Sequence, residues 1–142
     1  MENGFFNAEE AITMAKISPL GKELLAETNA VDDNNMAHCG KKCNIARLAD
    51  AACINDTLLR GYIAGDKRPG LLQLMRIIAA LGPTPDRAEH IIHVAGYDIS
   101  TDGQPENKDY REIVSLGGGH IDKKNEILTR YGSYIGQAFV RY

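Results

Sequence analysis

The sequence predicts an all-α fold, and three observations carry that expectation. Apolar residues recur at three- and four-residue spacing in one short window after another. No window alternates apolar and polar residues long enough to make a half-buried strand. The windows are also punctuated by helix signals, with Ser, Asn or Thr ahead and Gly or Gly-Pro behind. A chain of 142 residues, 44% hydrophobic and 25% charged, has the size and balance of one soluble domain with its own core. We expect a single domain over 1–142: N-terminal helices in 1–31, a central helical core in 32–82, and a helical extension in 83–142.

Taken in order, Asn7 is an N-cap candidate and Glu9 and Glu10 fall in a first turn, where the helix dipole favours negative charge, so a helix is expected over Ala8–Ile17. Pro19 lacks an amide hydrogen and disfavours helical geometry in Ser18, so it ends that helix. It then occupies the first position of a second helix, Pro19–Glu27, capped by Ser18, with Leu20, Leu24 and Leu25 as the apolar stripe. Thr28–Lys42 is rich in poor helix formers, and a short helix around Asn34–Lys41 is expected there, with Met36 and Cys39 inward.

The centre is more legible. Asn44 is read as the cap of a helix over Ile45–Ala52, with Ile45, Leu48 and Ala49 facing in. A turn follows at Cys53. Asn55 caps a helix to about Ile63 or Ala64, with Leu58, Leu59 and Tyr62 on the buried side and Gly65 as its stop. Asp66–Gly70 is loop. Leu71–Leu81 is helical, with Leu71, Leu74, Met75 and Ile78 on one stripe, ended by Gly82-Pro83.

Thr84-Pro85 opens a helix reaching Gly96, a polar loop covers Tyr97–Asn107, and helices are expected over Lys108–Leu116 and Ile121–Tyr131. The tail SYIGQAFVRY is apolar enough to dock on the core or on a second subunit. Seven to nine short helices are expected in all.

Several function classes lack the residues they need. No apolar run approaches the roughly 18–20 residues that span a bilayer, and MENGFFNAEE has no signal-peptide pattern, so a cytoplasmic protein is expected. His38, Cys39, Cys43 and Cys53 form the one metal-capable cluster. Cys39 and Cys43 lack a second tight ligand pair, so the thiols are read as reduced, buried and small, with no metal. His90 and His93 are read as helix-surface residues. Gly117-Gly118-Gly119-His120 lacks the Lys-Ser/Thr and preceding strand of a phosphate loop. No catalytic arrangement stands out, so no enzyme and no cofactor are expected.

Net charge is −3, but it is unevenly placed: residues 41–76 hold seven Lys and Arg against three Asp. The same stretch carries a likeness. Leu48-Ala49, Ile54, Leu59, Tyr62, Gly65, Lys67-Arg68-Pro69 and Leu72…Ile78-Ala79-Ala80-Leu81-Gly82 resemble the lambda-repressor/Cro-like (XRE) helix-turn-helix family over residues 32–82. Glu89…Ala95-Gly96-Tyr97 and Gly117…Asn125-Glu126 are similar to the extension in small helix-turn-helix proteins of gut Firmicutes.

The resemblance implies a lambda-repressor-like bundle with added N- and C-terminal helices. Ile45–Ala52 would cross the phosphate backbone, and Asn55–Ile63 would be the recognition helix in the major groove. The family's base-contacting places fall on Asp56, Thr57 and Gly61, with Arg60 between them. The DNA-binding set implied is Asn55, Asp56, Thr57, Arg60, Lys67 and Arg68. The chain departs from the family pattern at Ile45, often glutamine, at Asp66, often basic, and at Cys53, which replaces the turn glycine. Cys53 must therefore take a strained dihedral or a different turn.

The resemblance implies a transcriptional regulator on double-stranded DNA, acting as a homodimer through the C-terminal helices in Lys108–Tyr142. Asp56, Thr57 and Gly61 on the reading face motivate a second possibility, a protein-interaction module for a partner such as a toxin or a kinase.

Overall fold

The computed structural model describes residues 17–28 and 40–139, with side chains in the second span from Ile45 onward. The helix expected over Ala8–Ile17 and the one around Asn34–Lys41 lie almost wholly outside the described residues, as do the side chains of Cys39 and Cys43. Everything regular among the described residues is helical, and no strand occurs there. The helices are α1 (Pro19–Glu27), α2 (Gly40–Ala52), α3 (Asp56–Ala64), α4 (Leu71–Leu81), α5 (Pro85–Val94), α6 (Glu106–Leu116) and α7 (Ile121–Thr129).

Four starts follow the chemistry of their caps or first residues. Ser18 Oγ accepts from the Gly21 amide at 2.9 Å, Asn55 from the Thr57 and Leu58 amides, and Thr84 from the Arg87 amide. Gly70, in extended geometry, precedes α4. Two starts differ from expectation. Among the described residues α2 already runs from Gly40, ahead of Ile45, so Asn44 lies inside the helix and is not its cap. Lys41 and Lys42 are good helix formers and carry the helix back by a turn. α6 begins at Glu106, two residues before Lys108, with Glu106 and Asp109 both in its first turn beside the helix's positive end. At the other end, α7 stops at Thr129, short of Tyr131.

α4 is the central element. Leu74, Met75 and Ile77 through Leu81 are all buried, and α2, α6 and α7 pack around it. α1 lies against α3 and α5. At its start the Ser18 amide and hydroxyl both donate to the Ile63 carbonyl, at 2.9 and 3.1 Å, which satisfies the open C-terminal end of α3. Arg87 of α5 ties back to α1 by ion pairs to Glu23 and to Glu27, the latter at 2.7 Å. The hydrogen bond from Arg87 holds the Glu23 carboxyl below its ordinary range.

The described part of the apolar tail, Ser133–Phe139, docks on this chain's own core. Ile135 and Phe139 are buried, and Phe139 N–H donates to Ala80 O at 2.8 Å.

One buried side chain runs against the apolar pattern of its helix. Lys124 is 0% exposed, and its Nζ donates to Ala79 O at 2.9 Å and Gly117 O at 2.5 Å, at the last turns of α4 and α6. An ammonium there meets the negative ends of two helices, though burial lowers its pKa to about 8.

Candidate nucleic-acid interface

α2 and α3 are joined by Cys53, Ile54 and Asn55 alone. The end of α2 closes by Ile54 N–H to Ala49 O at 2.9 Å and Cys53 N–H to Asp50 O at 3.2 Å. This is the bond pattern that normally takes glycine in the left-handed conformation. Cys53 adopts it with φ 59. Of the two alternatives the sequence leaves, a strained dihedral or a different turn, the chain takes the first. An L side chain in that region costs roughly 1–2 kcal/mol, and the neighbours offset it. Arg76 Nη2, reaching from α4, donates to Cys53 O at 2.7 Å, while its Nη1 donates to Gln73 Oε1 at 3.0 Å.

On α3 the apolar side is Leu59, Tyr62 and Ile63, with Leu58 and Ile54 half-buried. The opposite side carries the expected site. Asn55, Asp56 and Thr57 are exposed at the start of the helix, one turn before Arg60. The Asn55 side-chain oxygen is committed to the cap. Arg60 Nε donates to Asp56 Oδ1 at 2.8 Å across one helical turn, both side chains being about half exposed. Such surface pairs contribute only a few tenths of a kcal/mol, roughly 0.3–0.5, so a phosphate or base edge can displace Asp56 at little cost.

Gly61 has a role that the sequence did not suggest. A Cβ built there would lie 3.5 Å from Lys67 Cδ and 3.7 Å from Lys67 Cγ, so the lysine stem lies along the glycine. Gly61 is one turn beyond Thr57 on the same face. The loop thereby lays the Lys67 stem along the outer surface of α3, where a Cβ on residue 61 would make ordinary van der Waals contact with it.

Arg68 is placed elsewhere. Its Nε donates to Ala95 O at 3.1 Å and its Nη2 to Gly96 O at 3.3 Å, and its guanidinium carbon sits 4.2 Å from the centre of the Tyr97 ring. Tyr97 Oη in turn donates to Pro69 O at 2.8 Å. The guanidinium thus closes the C-terminal end of α5, where carbonyls lack partners and positive charge is favoured. We expect Arg68→Ala to lower unfolding stability by about 1–2 kcal/mol, read as a lower urea midpoint with unchanged slope. An unchanged midpoint would show that the clamp contributes nothing.

The structure therefore brings Thr57, Arg60, Gly61 and Lys67 to one face and turns Arg68 toward α5. Arg76 was not foreseen as part of this region; its signal was a lone cation inside the apolar run LLQLMRII. Among the described residues no three His, Cys, Asp or Glu side chains gather as a metal set, and no helix is long and apolar enough to cross a membrane. His90 lies on the surface with Nε2 at 3.4 Å from Glu23 Oε2. No protein-family model, curated protein or solved structure matches the chain.

Proposed function

We propose that the chain is a DNA-binding transcriptional regulator of lambda-repressor type. In this reading α2 lies over the phosphate backbone, α3 enters the major groove, and two copies act as a cytoplasmic homodimer on paired half-sites. The observation that carries it is the mounting of α3. A polar helix face with Thr57, Arg60 and the Lys67 stem is held outward by a three-residue connector with a left-handed residue. Arg60 supplies a fork able to pair with guanine, Asp56 an acceptor suited to cytosine N4, and Lys67 a phosphate contact.

A second reading, a protein-interaction module on the same framework, is favoured by one specific feature. Arg60 already has a carboxylate partner and Arg68 is folded back, which leaves a face of modest positive charge. The two readings separate in a fluorescence-anisotropy titration against mixed DNA fragments at two salt concentrations. A DNA reader gives binding that weakens as salt rises. No binding at low salt with high-micromolar protein would exclude it. We expect Arg60→Ala combined with Lys67→Ala to lower affinity and, through loss of the Lys67 phosphate contact, to flatten the log–log salt slope by about one. Unchanged affinity in a folded double variant would show that this face is not the interface.

A further inference from the structure

We propose that the C-terminal strap Ser133–Phe139 and Arg76 are positioning elements for α3, gripping from two sides the left-handed turn on which that helix is mounted. The effect on DNA rests on the reading of α3 given above, but the grip itself is a matter of geometry.

The strap is laid against the end of α2 by backbone bonds. Gly136 N–H donates to Ala51 O at 2.8 Å and Gln137 N–H to the same oxygen at 3.3 Å. It is pinned from α7 by Asn125, whose amide donates to Ile135 O at 2.9 Å and whose oxygen accepts from Ile135 N–H at 2.7 Å. Gly136 presses on the turn: a Cβ there would stand 3.1 Å from Cys53 Sγ, 3.5 Å from Asp50 O and 3.6 Å from Ala51 O. Arg76 holds the turn through its bond to Cys53 O. A strained dihedral persists only where its surroundings over-determine it, and these two contacts add to the turn's own backbone bonds in doing so.

The Cys53 dihedrals set the direction in which α3 leaves α2. Rotation there is amplified along a nine-residue helix roughly 13 Å long. The strap can therefore aim Thr57 and Arg60 without touching them. The tail, expected from sequence to dock on the core or on a second subunit, becomes part of the aiming of α3.

The test uses the full chain with Gly136→Ala, Cys53→Gly and the double variant, followed by amide NMR spectra and by DNA titration. Gly136→Ala should move the amide resonances of Asp56 through Gly61 and weaken DNA binding about fivefold. Cys53→Gly removes the sulfur that Gly136 meets and suits a left-handed turn, so the double variant should regain both properties. Arg76→Lys attacks the grip from the opposite side and should move the same α3 resonances even if Gly136→Ala fails to fold. Shifts confined to 50–53 and 133–139 would overturn the proposal. If the unmodified protein binds no DNA, the DNA reading fails while the spectra still decide whether the strap positions α3.

Discussion

Gly21→Ala is expected to destabilise the protein by about 3 kcal/mol, lowering the melting temperature by roughly 10 °C. Intrinsic helix propensity points the other way, since alanine is favoured over glycine inside a helix by about 1 kcal/mol. Packing decides the sign. A Cβ at position 21 would lie 2.1 Å from the Ile63 carbonyl oxygen and 2.9 Å from its carbon. The obstacle is backbone, so no side-chain rotation relieves it. α1 must move away from α3, and the Ser18 amide and hydroxyl then lose Ile63 O, leaving that carbonyl at the end of α3 without these donors. Gly103→Ala serves as control: its Cβ would meet only Thr101 Oγ1 at 3.6 Å, on an exposed loop, and it should change stability by less than about 0.5 kcal/mol. Calorimetry of the two variants decides the matter. A Gly21→Ala protein as stable as the parent would mean that α1 does not sit against α3 as described.

Gly21 also shows where sequence reading stops. The bounds of α1, α3 and α4 could be read closely because local chemistry sets them: Ser18 and Pro19, Asn55 and Gly65, Gly82 and Pro83. The all-helical class follows from the same signals. Asn44 looked like a cap by the same rules, yet residues before it were helical enough to override it. That a glycine in α1 must be a glycine depends on a carbonyl forty-two positions away, and nothing near residue 21 reports it.

The candidate site divides in the same way. The exposure of Asp56, Thr57 and Arg60 followed from the period of α3, because the apolar residues define the opposite face. Lys67 and Arg68 are adjacent in the loop and were indistinguishable by sequence. One lies along Gly61 and the other reaches Ala95 and Gly96, because the chain brings the end of α5 beside the loop. The strap was legible only as an apolar segment in need of a partner.

Lys124 offers the second large effect, a dependence of stability on pH that no exposed lysine would give. Its place was latent in the pattern, since Ile121, Lys124 and Leu128 fall on one face of α7. Burial lowers its pKa from 10.5 to about 8. In the unfolded chain the amine keeps its proton until about pH 10.5, so between pH 8 and 10.5 the unfolded state binds more protons than the folded one. Stability contributed by this group therefore rises with pH across that window, by about 2 kcal/mol between pH 7 and 9.5. The phenols act in the opposite sense. The hydrogen bond from Tyr131 to Asp109 raises its pKa to about 12, and burial raises that of Tyr110, so both contribute stability that is lost as pH climbs past about 10.

The lysine effect is therefore read below pH 9.5, by urea unfolding of the parent and of Lys124→Met. Methionine fills the stem's volume and does not titrate, so the parent should gain on the variant steadily from pH 7.5 to 9.5. Neutral amine still donates to Ala79 O and Gly117 O, which is why deprotonation relieves the buried charge without opening the contact. Lys124→Ala removes stem and donor together, and should cost about 3 kcal/mol at pH 7 through the cavity and two unpaired carbonyls. Parallel pH profiles for parent and Lys124→Met would show that the ammonium is solvated in the folded state, and the description of α7 packed on the ends of α4 and α6 would have to change.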